Sequence, residues 1–206
     1  MRPDHAFALL EEFARDEIAT GGPDPQVVLT ARATDHLSGE EAAQFIGCFI
    51  APYTCGAAGP LWAAGDALSP AWIAEHWGGL PRRRERRAID KRSGEKLYAC
   101  VASWRTWARD ELPRIRCAPY AEVYACLRVG VQYVGRYAAM KAMEALHQRG
   151  LIAAQQDSIC AAGAKYPRRM LAWVYPAYAD ALNADSDEPE VLAIADRLAA
   201  ELKERL

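Results

Sequence analysis

The strongest constraint on the fold of this chain is the spacing of its apolar residues, which follows a helical period. A clear example is the run Leu97, Val101, Trp104 and Ala108. Pro113 ends this pattern, as proline ends a helix. Alternation with a period of two, which is typical of half-buried strands, is nearly absent. The sequence therefore predicts an all-α fold, and because it shows neither a repeat nor a low-complexity linker, we expect a single domain over residues 1–206.

Capping and breaking residues set the bounds of the predicted helices. Ser38 and Glu41 have the spacing of a capping box, which predicts that a helix begins after Ser38. Residues 54–69 are rich in turn-forming residues, so we expect a connection there. The other predicted helices cover residues 5–18, 25–36, 70–76, 94–112, 120–132, 136–149 and 188–206.

Composition excludes several classes of protein. The chain is 51% hydrophobic and 25% charged, as in a globular domain. Its longest apolar segment, residues 45–64, is interrupted by prolines and glycines, so no membrane span is predicted. The N-terminus lacks the apolar core of a signal peptide, and we expect a cytoplasmic protein. The six cysteines form no CxxC pair, and we predict neither a metal nor a cofactor.

Residues 129–141 carry the most informative local pattern. Gly130 and Gly135 lie five residues apart, between the end of one helical pattern and the start of the next. Glycine suits a backbone that takes a positive φ or comes close to another group. N–H groups at a helix start also suit a phosphate. The alternative is an ordinary turn between two helices.

Basic residues are concentrated in one part of the chain. Residues 81–116 hold twelve Lys or Arg against five Asp or Glu, whereas the segment from Ala184 holds seven acids against three bases. The densest positive patch includes Arg83, Arg84, Arg86 and Arg87. A smaller basic group contains Arg168 and Arg169. Such patches can neutralise phosphates, although a solvated charge run is an equally good interpretation of the larger one.

Aromatic residues and one aspartate complete the set of candidates. An aromatic side chain near a pocket can bind a nucleotide by stacking on its base. The candidates for this role are Tyr53, Tyr133, Tyr137 and Trp173. The alternative for Tyr53 is a place in the core. Trp104 and Trp107 alternate with arginines, but their helical spacing favours the core for Trp104. Asp157 is either a carboxylate base or the cap of a helix that begins near Ser158.

Residues 127–139 resemble the helix-hairpin-helix region of the DNA glycosylase superfamily. The resemblance rests on Leu127-x-x-Gly130, on Tyr133-Val134-Gly135-Arg136-Tyr137-Ala138-Ala139 and on an aspartate about twenty residues further along. It implies that residues 120–149 form a helix-hairpin-helix, that Val134 and Gly135 belong to a hairpin whose N–H groups bind a DNA phosphate, and that Asp157 is the catalytic carboxylate.

Two departures from that superfamily concern the hairpin itself. The superfamily has glycine, a hydrophobic residue and glycine where this sequence has Tyr133-Val134-Gly135. The base-excising lysine expected just after the hairpin is also missing, and Tyr137 stands about there. These differences argue against cleavage of the glycosidic bond.

In its overall sequence pattern the chain is similar to a phage-associated branch of the superfamily. The members of this branch are the amino acid:DNA transferases, also called α-glutamyl/putrescinyl thymine pyrophosphorylases. The similarity spans roughly residues 45–175 and includes residues 45–54 and the Tyr-Val-Gly-Arg-Tyr-Ala-Ala-x-Lys helix. It implies an enzyme of thymine hypermodification that acts on double-stranded DNA with a flipped base. An amine, such as that of glycine, would displace pyrophosphate from pyrophosphorylated 5-hydroxymethyl-deoxyuridine.

The reaction implied by this resemblance has three requirements. The leaving pyrophosphate needs cations, which the arginine patch of residues 82–92, Arg136, Arg168 and Arg169 can supply. The amine proton needs a carboxylate, for which Asp157 is the candidate, and the unstacked base needs an aromatic pocket. Two alternatives stay open. One is a DNA glycosylase that excises a base, and the other is a helical DNA-binding protein without enzymatic activity.

Overall fold

The computed structural model describes residues 25–80, 94–154, 165–183 and 189–205. The described residues contain helices and turns, and no strand occurs among them. The helices are α1 (Pro25–Ala33), α2 (Gly39–Ile50), α3 (Cys55–Ala63), α4 (Pro70–His76), α5 (Gly94–Asp110), α6 (Leu112–Ile115), α7 (Tyr120–Gly130), α8 (Arg136–Gln148), α9 (Lys165–Val174), α10 (Ala179–Asn183) and α11 (Pro189–Arg205). Short 3₁₀ turns lie at Gly65–Ala67, Trp77–Gly79 and Pro176–Tyr178. The prediction of an all-α protein is confirmed at this level.

Packing divides these helices into two compact units. Helices α1 to α8, in residues 25–154, form one unit, and helices α9 to α11 belong to the other. In the second unit, α9, α10 and α11 pack on one another around a small core. The buried residues of that core are Leu171, Ala172, Leu182, Ala195 and Leu198.

Helix α2 is the centre of the larger unit. It packs against α3, α5 and α8, and most of its residues from Ala42 to Ile50 are buried. A helix that is apolar on nearly all sides is stable only when other helices surround it. Its start is fixed by the predicted capping box, because Glu41 donates its N–H to the Ser38 hydroxyl and the Glu41 carboxylate accepts the Ser38 N–H. The chain therefore begins its central helix where the sequence predicts.

Trp104 joins α5 to α2. Its side chain is fully buried, and its indole N–H donates to the carbonyl of Ala43 over 2.7 Å. The ring lies against Gly47, where a Cβ atom would have no space. The prediction that Trp104 belongs to the core is confirmed. Trp107 is also buried, so neither tryptophan offers a face to a nucleotide.

The connection between α7 and α8 is held against α5. Ser103 on α5 accepts a hydrogen bond from the N–H of Gln132 over 3.0 Å and donates its own hydroxyl to the carbonyl of Ala99. At the end of α7, Gly130 lies against the ring of Trp107. Helix α5 thus holds the start of the hairpin of residues 131–135 at two points, Ser103 and Trp107.

Most predicted helix bounds agree with the structure to within a few residues. The helices expected at 94–112, 120–132 and 136–149 are present as α5, α7 and α8, and those at 70–76 and 188–206 as α4 and α11. The connection expected at residues 54–69 is wrong in part, because α3 forms there. Gln26 stabilises its start by accepting the N–H of Cys55 over 3.0 Å. The helix predicted at residues 5–18 lies outside the described residues.

Candidate functional site

A pocket of about 250 Å³ lies at the hairpin between α7 and α8. Its lining comes from three parts of the sequence: the end of α2 with the turn that follows, helix α5, and the hairpin with the first turn of α8. The lining residues are Ile50, Ala51, Tyr53, Cys100, Tyr133, Val134, Gly135, Arg136, Tyr137 and Ala138. The structure therefore brings Tyr53 to four candidate residues of the hairpin motif, which are Tyr133, Gly135, Arg136 and Tyr137.

Tyr53 and Tyr137 form a pair within this lining. Their hydroxyl oxygens lie 3.2 Å apart, at hydrogen-bonding distance, and their ring centroids are 5.5 Å apart. Tyr53 also contacts the ring of Phe49, with the centroids separated by 5.3 Å. Tyr53 is 7% exposed, so it belongs to the core and to the pocket lining at the same time. The two interpretations of Tyr53 offered by the sequence are therefore compatible.

Both residues of the described chain that have a positive φ without being glycine lie in this lining. They are Tyr53, with φ 52°, and Tyr133, with φ 61°. For an L-residue with a bulky side chain this left-handed conformation costs about 1–2 kcal/mol. Such strain persists only where the surrounding structure holds it, and it concentrates at binding and catalytic sites. The positions of these two tyrosines make the pocket the candidate functional site.

Gly130, which ends α7, and Gly135, which precedes α8, have different roles. Neither takes a positive φ, and the left-handed conformation falls on Tyr133 instead. A Cβ at Gly130 would lie 2.6 Å from Cδ1 of Trp107, so glycine is needed there for close approach. Gly135 has φ −76° and precedes α8 as its N-cap, with nothing within 4 Å of a Cβ position. The open space at Gly135 leaves the first turn of α8 accessible to a ligand.

Positive charge lies near the tyrosines. Lys96 Nζ is 6.0 Å from the ring centroid of Tyr133, and Lys141 Nζ is 6.0 Å from that of Tyr137. Lys141 also forms an ion pair with Glu144, with 2.8 Å between Nζ and Oε2. Lys96 lies one turn before Cys100 on α5, so it is next to the pocket lining. Arg136 in the lining and Lys96 beside it place positive charge at the pocket, which suits an anionic ligand, whereas the charge of Lys141 is offset by Glu144.

Cys48 on α2 and Arg105 on α5 are close neighbours within the larger unit. Burial raises the pKa of the Cys48 thiol to about 12, and the nearby Arg105 guanidinium opposes that rise. The thiol is therefore protonated at neutral pH and is not a nucleophile. Arg105 itself donates to the carbonyl of Gly65 over 3.1 Å. These two residues have a structural role in the packing of α2 and α5.

Other predicted site residues belong to the smaller unit or lie outside the described chain. On α9, Arg168 is 3% exposed whereas Arg169 is exposed. Asp157 lies outside the described residues. So does the arginine patch with Arg83, Arg84, Arg86 and Arg87. Sequence reasoning missed Lys96 and Cys100, which lie one turn apart on α5. The only signal for Lys96 in the sequence was its position in the first turn of that helix.

Within the described ranges, no group of three or more His, Cys, Asp or Glu side chains is placed to hold a metal ion. Across the same ranges, no helix is long and apolar enough to cross a membrane. Comparison of the chain with known protein families, with curated proteins and with solved structures finds no match in any of the three.

Proposed function

We propose that this protein modifies DNA by transferring an amine, such as that of an amino acid, to pyrophosphorylated 5-hydroxymethyl-deoxyuridine. The nucleotide is turned out of the double helix into the pocket beside Tyr53 and Tyr137. The amine nitrogen forms a bond to the 5-methylene carbon, and the bond from that carbon to oxygen breaks. Pyrophosphate leaves with the electron pair, and the nitrogen loses a proton to a carboxylate.

The observation that carries this proposal is the composition of the pocket. Two sequence segments that resemble the amino acid:DNA transferases, residues 45–54 and residues 133–138, contribute to one cavity. A volume of about 250 Å³ is at the small end of ligand pockets, which suits a single pyrimidine base. Enzymes that act on a base inside a duplex must first take it out of the stack and hold it against aromatic side chains. The tyrosines of the lining supply such side chains.

The hairpin next to the pocket supports binding of the DNA backbone. Helix α8 begins directly after Gly135, which provides no side-chain cap. N–H groups of a first helical turn point outward along the axis, and together with the helix dipole they favour a phosphate. A duplex held at this hairpin would present a nucleotide to the adjacent pocket.

The charges around the pocket fit an anionic leaving group. Arg136 lines the cavity, and Lys96 and Lys141 lie beside its tyrosines. Cations near a departing pyrophosphate stabilise the charge that develops on it, and preorganised groups do so with little reorganisation. Asp157 is our candidate for the carboxylate that accepts the amine proton, on the strength of the family resemblance.

The proposal is tested by mass spectrometry of nucleosides. A duplex with one pyrophosphorylated 5-hydroxymethyl-deoxyuridine is incubated with the protein and a mixture of amino acids, then digested to nucleosides. The expected product is a nucleoside that carries an amino acid at the 5-methylene carbon, with one pyrophosphate released for each product. The matched control is the same duplex with unphosphorylated 5-hydroxymethyl-deoxyuridine, which lacks the leaving group and should stay unchanged.

The alternatives predict different products from the same assay. Excision of the base would leave an abasic site, which alkali cleaves, and would replace the transferase proposal by a glycosylase. An unmodified duplex that the protein nevertheless binds would replace it by a DNA-binding protein without enzymatic activity.

A further inference from the structure

Tyr133 differs from the other tyrosines of the pocket in its exposure. It is 46% exposed, whereas Tyr53 is 7% exposed, and both line the cavity. Tyr133 therefore lies at the rim of the pocket, where part of its surface faces solvent. The exposed part of this aromatic ring is removed from water only when a ligand covers it.

The backbone at Tyr133 gives a second reason to assign the ring a role. Its φ of 61° is one that glycine or asparagine adopts with less strain. A strained aromatic residue that is half exposed at the rim of a pocket is typical of a binding position.

The surroundings of Tyr133 indicate the chemistry of its ligand. Lys96 Nζ lies 6.0 Å from the ring centroid, and Arg136 lines the same cavity. An aromatic face next to two cations suits a flat, aromatic group that carries phosphate. Single-stranded or unstacked nucleotides are bound by this combination of stacking and positive charge.

We infer that Tyr133 stacks on a second base, the neighbour of the nucleotide that the pocket holds. This inference rests on the proposed binding of an everted nucleotide and adds a subsite on the rim. When a nucleotide leaves the duplex, its neighbour loses a stacking partner. The ring of Tyr133 replaces that partner and so lowers the cost of turning the nucleotide out.

A double-mutant cycle between protein and DNA tests this contact. The probes are two kinds of duplex with one 5-hydroxymethyl-deoxyuridine: an intact duplex, and duplexes in which the base on its 5′ or 3′ side is replaced by an abasic tetrahydrofuran. Wild-type protein and Tyr133→Asn are titrated against each by fluorescence anisotropy. Asparagine tolerates the left-handed conformation, so the variant should unfold at a temperature no lower than that of the wild type.

Removal of the Tyr133 ring and removal of the neighbouring base should each weaken binding by the same factor. Both changes together should weaken it no more than either change alone. Tyr133→Asn should bind the intact duplex about 5- to 150-fold more weakly, the range for loss of one base–aromatic stack. One of the two abasic duplexes should show the same loss with the wild-type protein and no further loss with the variant. Tyr133→Phe should bind like the wild type. The slope of log affinity against log salt should stay unchanged, because no phosphate contact is removed.

Other outcomes overturn the inference. If the variant loses affinity equally for intact and abasic duplexes, Tyr133 does not contact the neighbouring base. If Gln132→Ala, at the adjacent exposed position of the hairpin, weakens binding as much as Tyr133→Asn, the effect belongs to the hairpin and not to the ring. Transfer is scored separately: coupling in the cycle without transferase product would leave the subsite standing and remove the proposed reaction.

Discussion

The hydroxyl oxygens of Tyr53 and Tyr137 lie 3.2 Å apart although the residues are 84 positions apart in the sequence. The contact joins the turn after α2 to the first turn of α8, and both residues line the pocket. It therefore connects the central helix of the larger unit to the hairpin that we propose to bind DNA. Small changes at this contact should be visible both in stability and in binding.

The first prediction concerns this hydroxyl pair. Tyr53→Phe and Tyr137→Phe each remove one hydroxyl and leave its partner without that contact, so each should lower the free energy of unfolding by about 1 kcal/mol. The double variant should lose less than the sum, because the second change removes a group whose partner is already absent. Denaturant unfolding of the four proteins measures the coupling. Additive losses would show that the two hydroxyls do not interact.

A second prediction separates the two glycines of the hairpin. Gly130→Ala places a methyl group against Trp107 and should destabilise the fold by about 1–3 kcal/mol, as overpacking does. Gly135→Ala has space for its methyl group and an ordinary φ, so it should cost less than about 1 kcal/mol. The methyl group would stand where a phosphate approaches α8, and DNA affinity should fall at least about 5-fold, as for a lost charge-assisted hydrogen bond. Thermal unfolding and anisotropy titration measure the two effects. Unchanged affinity in Gly135→Ala would remove the hairpin from the DNA-binding surface.

Local patterns were sufficient to predict most of the helices. Ser38 and Glu41 predicted the start of α2, and the apolar period through Leu97 and Trp104 predicted α5, because both signals depend only on residues within a few turns of each other. Helix α3 was missed because Gly56, Gly59 and Pro60 disfavour a helix locally. Burial of α3 against α2 overrides that preference, and such packing is not visible in a local pattern.

The sequence predicted several residues of the pocket but not their arrangement in space. Tyr53, Tyr133 and Tyr137 were candidates because of their residue type and the family resemblance. Their approach to one another depends on the packing of α2 and α8, which no spacing in the sequence encodes. The left-handed conformation of Tyr53 and Tyr133 was equally invisible, because glycine is the usual sequence signal for it.

The capping box of α2 leads to a prediction for pH dependence. Hydrogen bonds from Ser38 hold the pKa of Glu41 below its ordinary value. A folded pKa below the unfolded one gives stability that is present above the unfolded pKa and is lost as pH falls through the folded pKa. The wild type should therefore be more stable than Glu41→Gln at pH 7, and the difference should shrink in acid. Thermal unfolding between pH 7 and pH 3 measures it. Glu40→Gln, at the neighbouring exposed position outside the box, is the control, and an equal pH effect there would contradict the assignment.

DNA binding should depend on the arginine patch of residues 82–92. Reversal of Arg83, Arg84, Arg86 and Arg87 to Glu should weaken binding and flatten its salt dependence, because fewer counterions are released. Each lost phosphate contact should reduce the slope of log affinity against log salt by about 0.9. A control with the same change in net charge reverses four exposed arginines elsewhere, namely Arg32, Arg109, Arg114 and Arg116. Equal losses in both variants would show that overall charge, and not the patch, governs the affinity.

The last prediction concerns Asp157, whose proposed role is to accept the proton of the attacking amine. An amine is mostly protonated near neutral pH, so loss of a general base should lower turnover by about 10²-fold or more. Asp157→Asn should therefore keep the fold and DNA affinity while it slows transfer, and higher pH should partly restore the rate. Asparagine caps a helix about as well as aspartate, so the substitution removes the charge and preserves any capping role. Single-turnover measurement of product by mass spectrometry gives the rate. If Asp157→Asn transfers at the wild-type rate, the residue is a cap and the carboxylate base must be sought among the other acids of the chain.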